Sequence, residues 1–491
     1  MLQSIEARTG QPVGDAWPES SLADIHRAAH TAAAVAGNFA ASSAAERASL
    51  LRALAAALEA DRESIVALAD RETGLGLPRL NGELDRTTFQ LRGFADVLER
   101  GDIHAAVDDE AIAGAPPVGR PHLTRVRVPL GPVAMFSASN FPFAFSVLGG
   151  DTASALAAGC PVVVKGHPAH PALSLHTAAL AHAVVAAQGL PAGVFQFVEG
   201  GSIEVGVALV QAPEITSVAF TGSFKGGTAL ARIAGERARP IPFYGELGSV
   251  NPLVVLPAAI AQNGTALAAT LAGSICLGAG QFCTSPGVIL VPADAAGDGF
   301  VSAFAQALQA LQPHAMLSAA IRATFDRGVA QWRAAPQLKP LVNDTADAAT
   351  LAPRPFLAEV SAADFIASHA LHEEVFGSAA LVVRVASVNE AIAVLESVGG
   401  SLTVTLWGAE SESDDTRRLV RVATQTAGRV LFSGVPTGVA VTAAQQHGGP
   451  YPTSTQPFTT SVGYAAVDRF LRPVALQDAP AWLTARKGVP C

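Results

Sequence analysis

An α/β fold built on parallel sheets, with helices on both faces, is predicted by three observations. After about residue 131, short apolar runs recur with helical stretches between them. The runs are continuous rather than alternating, as in strands buried on both faces. Glycine-containing turns follow several of them, where such sheets hold ligands.

The elements justify this in order. Residues 21 to about 100 read as helices. Ser43 with Glu46 three residues on has capping-box spacing, and Leu50, Leu51, Leu54 and Leu58 recur on one face. A second helix through Ile65, Leu68 and Ala69 stops near Gly74–Pro78. Val126 and Val128 alternate with Arg125 and Arg127, as in a strand, after a turn at Pro116–Pro117. Then come a strand at 133–136, a helix at about 145–158, a strand at 161–164, a helix at 174–188 and a strand at 194–198. A helix at 205–211 and a strand at 217–220 continue the rhythm. A second α/β unit starts near Asn251 and runs to about residue 440, with strands at 253–256, 288–291, 380–385 and 402–406. The tail reads as strands at 461–464 and 474–476. With 491 residues, two or three domains are expected.

Composition excludes some functions. Charged residues make up 15% and the net charge is −9, so the basic footprint of a general nucleic-acid binder is missing. The four cysteines are scattered without zinc spacing, and no metal is signalled. Residues 1–15 hold no apolar signal-peptide core, which with the low cysteine count points to the cytoplasm. Mean hydropathy is +0.34, and no charge occurs between Glu246 and Asp294. That stretch suits a buried, uncharged core. Its best helical piece, 265–279, is about 15 residues, short of the roughly 20 a bilayer requires.

Six motifs bear chemistry, and each has a plainer alternative. Phe220-Thr221-Gly222-Ser223-Phe224-Lys225-Gly226-Gly227 follows a strand and opens a helix, where backbone N–H groups hold a pyrophosphate; otherwise it is a glycine turn. Lys165 ends a buried strand, placed to bond ribose hydroxyls or simply leaving the sheet. Glu246, between Gly245 and Gly248, heads the uncharged stretch. Desolvation there would raise its pKa toward neutrality and suit a general base, unless it is a solvated loop residue. Cys283 lies in Gly280-Gln281-Phe282-Cys283-Thr284, open to a substrate or merely packed. Asn140, before Phe141-Pro142, offers an amide to an oxyanion or shapes a turn. Glu373-Glu374-Val375-Phe376-Gly377 is the sixth, with a charged helix end as its alternative.

Taken in order, SNFPFAFS, PVVVKGHPAHP, FTGSFKGG, GELGSVNP, GQFCTS and EEVFGS closely resemble the aldehyde dehydrogenase superfamily over nearly the whole chain. The resemblance implies an aldehyde-dehydrogenase-like α/β fold of two doubly wound parallel-sheet domains plus a small oligomerisation sheet. The cofactor-binding domain would take 1–107 and 127–249, the catalytic domain 250–440, and the bridging segment 108–126 and 455–485. It also implies oxidation of an aldehyde to an acid by NAD or NADP, in a homodimer or homotetramer. By position, Cys283 corresponds to the nucleophile, Glu246 to the general base and Asn140 to the oxyanion-hole side chain. Lys165 corresponds to the adenosine-ribose contact, with His167 and Pro168 beside it. Gly222 and Ser223 correspond to the pyrophosphate turn, Glu374 to the nicotinamide-ribose contact and Phe376 to the aromatic flanking the nicotinamide. Phe141, Phe145 and Phe282 would line the substrate mouth and suit an apolar chain. No arginine is assigned to hold a substrate carboxylate.

Two departures carry information. Members preferring NAD usually place a glutamate three residues after the ribose lysine; Pro168 stands there, so NADP is expected to be preferred, with NAD possible. The glycine-rich PFGG-type ending is replaced by Gln446-His447-Gly448-Gly449-Pro450-Tyr451-Pro452 and Thr459-Thr460-Ser461-Val462-Gly463. That pattern resembles the branch of α-ketoglutaric semialdehyde (2,5-dioxopentanoate) dehydrogenases, which also includes NADP-dependent fatty aldehyde dehydrogenases. Other readings are a CoA-acylating semialdehyde dehydrogenase, against which Glu246 speaks, and a catalytically silent relative.

Overall fold

The computed structural model describes residues 1–103, 105–345 and 350–484. Residue 485, the last of the expected bridging segment, and His104 lie outside them.

Two sheets carry the architecture. The first has five strands, all parallel, in the order Phe195–Val198, Val162–Lys165, Val133–Phe136, Ser217–Thr221, Phe243–Glu246. The chain enters at the central strand Val133–Phe136, builds outward on one side and then crosses to the other. This creates a crevice at the carboxyl ends of the central strands, the usual ligand position in such sheets. The second sheet has seven strands: Lys339–Asn343, Phe356–Ser361, Ala379–Val385, Val288–Pro292, Leu253–Val255, Ser401–Trp407 and Ala427–Leu431. Only its first pair is antiparallel. In two of its interior strands, Ala379–Val385 and Ser401–Trp407, only Arg384 is not fully buried, so both faces are covered.

The third sheet is small and antiparallel. Leu471–Gln477 pairs along its whole length with Leu123–Pro129, which also pairs with Val107–Asp109. A two-stranded hairpin, Leu2–Ile5 with Pro12–Trp17, opens the chain and has no counterpart in the sequence reading. The N-terminal helices form as their caps dictate. Glu46 N–H donates to Ser43 Oγ at 3.1 Å, and Ser43 N–H donates back to the Glu46 carboxylate at 2.7 Å. Leu50, Leu51, Leu54 and Leu58 are buried against the first sheet's core.

Three expectations are corrected. The helix expected from residue 145 begins at Gly150, because 141–149 is an irregular loop. The apolar helix expected at 265–279 belongs to Pro257–Cys276, which is kinked at Asn263, and the stretch Pro257–Gly280 is long and apolar enough, by length and composition alone, to cross a bilayer. Its inner face, Ala268, Leu271, Ala272 and Ile275, packs on Phe300 and Phe304 of the helix Ala295–Gln309. The strand expected at 461–464 does not form; the backbone bends there and enters the 3₁₀ helix Tyr464–Phe470. Its polar groups serve a neighbouring loop instead, as described next.

Candidate active site

Glu246 ends the last strand of the five-stranded sheet, and Cys283 lies in the loop just before the strand Val288–Pro292 of the seven-stranded sheet. The carboxyl edge of one sheet thus meets the amino edge of the other. The Cys283 loop is held in an unusual shape. Gly278, Ala279 and Gly280 all have positive φ, and a Cβ on Gly280 would come within 2.2 Å of the Gly377 backbone. Gln281 locks the turn, its Oε1 accepting from Leu317 N–H at 3.0 Å and its Nε2 donating to Gly278 O at 3.0 Å. Asn251, unassigned in the sequence reading, fastens the loop to the sheet. Its Nδ2 donates to Cys283 O at 2.8 Å and Ser285 O at 2.9 Å, and its Oδ1 accepts from Thr403 N–H at 3.2 Å.

The tail supplies what the sequence reading did not assign. Residues 453–455 run beside Glu246: Leu247 N–H donates to Thr453 O at 2.8 Å and Gly245 N–H to Thr455 Oγ1 at 2.8 Å. This brings His447 and Ser461 onto the glutamate. His447 Nε2 lies 3.0 Å from Glu246 Oε1 and 3.6 Å from Cys283 Sγ. Ser461 Oγ donates to Glu246 Oε2 at 2.5 Å. Ser461 N–H bonds His447 O, and His447 N–H bonds Thr460 Oγ1, so the two segments brace each other. Sulfur, carboxylate and imidazole donors all fall within 4.8 Å of one another. The glutamate is 4% exposed and the histidine 1%. Nδ1 of His447 has no partner among the described residues.

The electrostatics correct one expectation. Burial pushes the Glu246 carboxyl up, but His447 and Ser461 outweigh it and the net direction is down, so the group is an ionised acceptor. Burial and the neighbouring Glu246 together push the Cys283 thiol well above its ordinary range. Cys160 and Cys276 are also raised by burial, each to about 11. What separates Cys283 from them is therefore its company, not a lowered pKa.

Asn140, Glu374 and the three phenylalanines lie around this point. Asn140 Nδ2 donates one hydrogen to Gln281 O at 3.0 Å, leaving the second for another acceptor, and its own carbonyl is held by Arg79 Nη2 at 2.7 Å. Glu374 leans over Gly248, where a Cβ would meet its Oε2 at 2.7 Å. It sits in a loop rather than at a helix end, and with Phe376, Ser249 and Gly280 it lines one cavity. Phe141 stacks edge-on with Phe145 and with Phe282, both at 5.2 Å. The cage is not purely apolar. Arg79 lies over Phe141 and Phe282, and Arg86 over Phe145. Both arginines come from the helix Leu77–Arg100.

At the other end of the crevice, Ser223 caps the helix Phe224–Glu236, accepting from Gly226 N–H, and Gly222 and Ser223 are exposed. Lys165 closes the strand beside the central one, and burial pulls its ammonium down to about 8 against the opposing pull of Glu19 and Glu199. His167 is shaped by the local turn, its Nδ1 accepting from Ala169 N–H at 3.1 Å. Pro168 adjoins Gly201, which Leu2 and Glu19 also approach. Glu19 is itself fixed by Ser202, which donates from both its backbone and its hydroxyl. An open helix N-terminus, a strand-end lysine and a glycine turn at a topological switch point fit a dinucleotide.

Fold and site together define a class: an α/β dehydrogenase with a dinucleotide crevice that ends at a thiol beside a carboxylate. The family model described as the aldehyde dehydrogenase family matches residues 2–455, and the chain belongs to that family. It is an enzyme that oxidises aldehydes with a nicotinamide cofactor. The chain is 42% identical over 480 residues to alpha-ketoglutaric semialdehyde dehydrogenase 2 of Azospirillum brasilense, covering 98% of this chain and 91% of the relative. It is 37% identical to the alpha-ketoglutaric semialdehyde dehydrogenase of Acinetobacter baylyi, covering 97% and 90%. The fold is shared with a putative aldehyde dehydrogenase from Burkholderia cenocepacia, at TM-score 0.81 and 24% identity over 97% of this chain and 96% of that one.

Proposed function

We propose that the protein oxidises 2,5-dioxopentanoate to 2-oxoglutarate, preferring NADP, and releases the free acid by hydrolysis. The observation that carries this reading is Glu246, held ionised within reach of Cys283. A base so placed activates water, which a CoA-acylating enzyme does not need. The substrate follows from near-full-length likeness to two enzymes named for it.

In this reading Cys283 is the nucleophile, Glu246 the base and Asn140 an oxyanion donor. Burial and Glu246 keep the resting thiol protonated, so proton loss is coupled to attack. The Cys283 proton passes to Glu246 as the S–C bond forms, and His447, bonded to Glu246, holds the carboxylate toward the sulfur. The spare Asn140 hydrogen and the Cys283 N–H receive the oxyanion, each worth roughly 3–4 kcal/mol in comparable sites. When bound, the nicotinamide ring supplies the acceptor for hydride. Loss of that hydride leaves a thioester on Cys283. Glu246 first releases the thiol's proton to solvent, then takes a proton from water as the C–O bond forms and the C–S bond breaks, and passes that proton to the departing thiolate.

Lys165, His167, Gly222 and Ser223 would hold the adenosine and pyrophosphate end, and Glu374 and Phe376 the nicotinamide end. NADP preference rests on Pro168, which places no carboxylate against a 2′-phosphate. Glu19 and Glu199, near Lys165, act the other way and favour some use of NAD. The protein is read as cytoplasmic and as a homodimer or homotetramer, with the exposed edge strand Leu471–Gln477 supporting assembly. The test is an aldehyde panel with both cofactors: dioxopentanoate, succinic semialdehyde, glutaraldehyde and a long-chain aldehyde. Highest kcat/KM with dioxopentanoate and NADP is expected. Preference for the long chain, or a CoA requirement, overturns the reading.

A further inference from the structure

A buried guanidinium without a partner is costly unless something completes it. Nη1 and Nη2 of Arg86 are both buried and hydrogen-bond to nothing among the described residues. The nearest internal carboxylate, Glu83, three residues back on the same helix, spends Oε1 on Phe143 and Ala144 N–H at 2.8 and 3.0 Å; its Oε2 bonds neither Arg86 nor any other described residue, and its charge acts on Arg86 only through space. No ion pair forms between Glu83 and Arg86 among the described residues. The guanidinium lies 5.1 Å from the centre of the Phe145 ring. The same ring is 6.3 Å from that of His447, which touches Cys283. Arg86 is also within electrostatic reach of Cys283 and Glu246. A rigid fork of donors with no hydrogen-bond acceptor among the described residues therefore stands over Phe145, which neighbours the His447 ring beside the thiol.

We propose that Arg86 receives the substrate's carboxylate, and thereby selects short aldehydes that end in an acid. This rests on the site being the aldehyde-oxidising one. Geometry favours a carboxylate because a planar guanidinium offers it two parallel bonds. The contacts from Arg86 through Phe145 and His447 to Cys283 suit a chain of a few carbons, not a fatty one. Arg79 is a poorer candidate, since its Nη2 already holds the Asn140 carbonyl. Its place seven residues earlier on the same helix makes it a positioning residue for the oxyanion loop.

The experiment compares Arg86→Met and Arg86→Lys with the wild type on 2,5-dioxopentanoate and on pentanal. It also measures binding of 2-oxoglutarate to each form by calorimetry. Arg86→Met should lose about 100-fold in kcat/KM on the acid aldehyde, mainly through KM, and at most about threefold on pentanal. Calorimetric binding of 2-oxoglutarate should vanish. Arg86→Lys, which keeps charge but not the fork, should lose about tenfold on the acid aldehyde. Equal losses on both aldehydes, or 2-oxoglutarate binding retained at wild-type affinity in Arg86→Met, overturn the proposal. Should Arg86→Met misfold, an unchanged acid-to-neutral ratio in Arg86→Lys overturns it too. A wild type that prefers pentanal contradicts the proposed substrate instead, which keeps the two failures apart.

Discussion

The two ends of the crevice are built in opposite ways. At the cofactor end, Lys165, Gly222 and Ser223 sit at strand ends and a helix start, each within one contiguous motif. Its turn is exposed, and its donors are backbone groups together with the Lys165 ammonium. At the chemical end, Glu246, Cys283, His447 and Ser461 come from separate segments and are packed together. His447 lies 201 residues from Glu246 and 164 from Cys283. The first end depends on local conformation and tolerates solvent. The second depends on tertiary structure, and its groups define one another's charge. Cys283 shows the consequence: its thiol is pushed up like the two inert ones, and only its neighbours can draw the proton off.

The largest expected effect tests that separation. Cys283→Ala should abolish NADPH formation and leave cofactor affinity, measured by fluorescence titration, unchanged. Turnover in that variant would sink the assignment of the nucleophile. In the wild-type enzyme without cofactor, iodoacetamide alkylation of Cys283 should keep rising as the pH passes 9, because the raised pKa leaves little thiolate at neutrality. A plateau near pH 7 would mean the thiolate is already formed at rest. His447→Asn should come next, with kcat down about 100-fold and cofactor binding intact. A loss under about threefold would make His447 mere packing.

A smaller effect belongs to the cofactor end. Glu19→Gln removes a carboxylate near Lys165 and should raise the NADP-to-NAD ratio of kcat/KM by about fivefold, as like-charge repulsion of a partly solvated phosphate allows. No change in the ratio would remove Glu19 from the determinants of cofactor choice.

The same contrast explains what was legible in the sequence. The parallel strands announced themselves as apolar runs because both faces are covered, and the Ser43–Glu46 cap because its partners are three residues apart. Cys283, Glu246 and Asn140 stood in ordered motifs and were placed near one another by resemblance. His447 and Ser461 were visible only as a departure from the usual ending, since nothing local marks a histidine that reaches back across the fold. The direction of the Glu246 shift was misjudged for the same reason: its uncharged sequence neighbours signalled desolvation, while the compensating imidazole and hydroxyl come from the tail. Arg86 left a fainter trace. Arg79, Glu83 and Arg86 fall at i, i+4 and i+7 on one inward helix face, a polar stripe where apolar residues would serve for packing alone. The N-terminal hairpin, which carries Trp17 to Glu199 at 2.7 Å, had no such pattern.

The central claim is that Glu246 resolves a thioester on Cys283. A single-turnover experiment on Glu246→Gln with 2,5-dioxopentanoate and NADP tests it most directly. Because Glu246 also takes the thiol's proton, the reaction is run at alkaline pH, where the variant's thiol ionises without it. A burst of one NADPH per active site should then be followed by turnover slowed about 1000-fold, with an acyl adduct on Cys283 in the mass spectrum of the trapped protein. A steady state with no burst and no adduct, or hydrolysis at the wild-type rate, would contradict it.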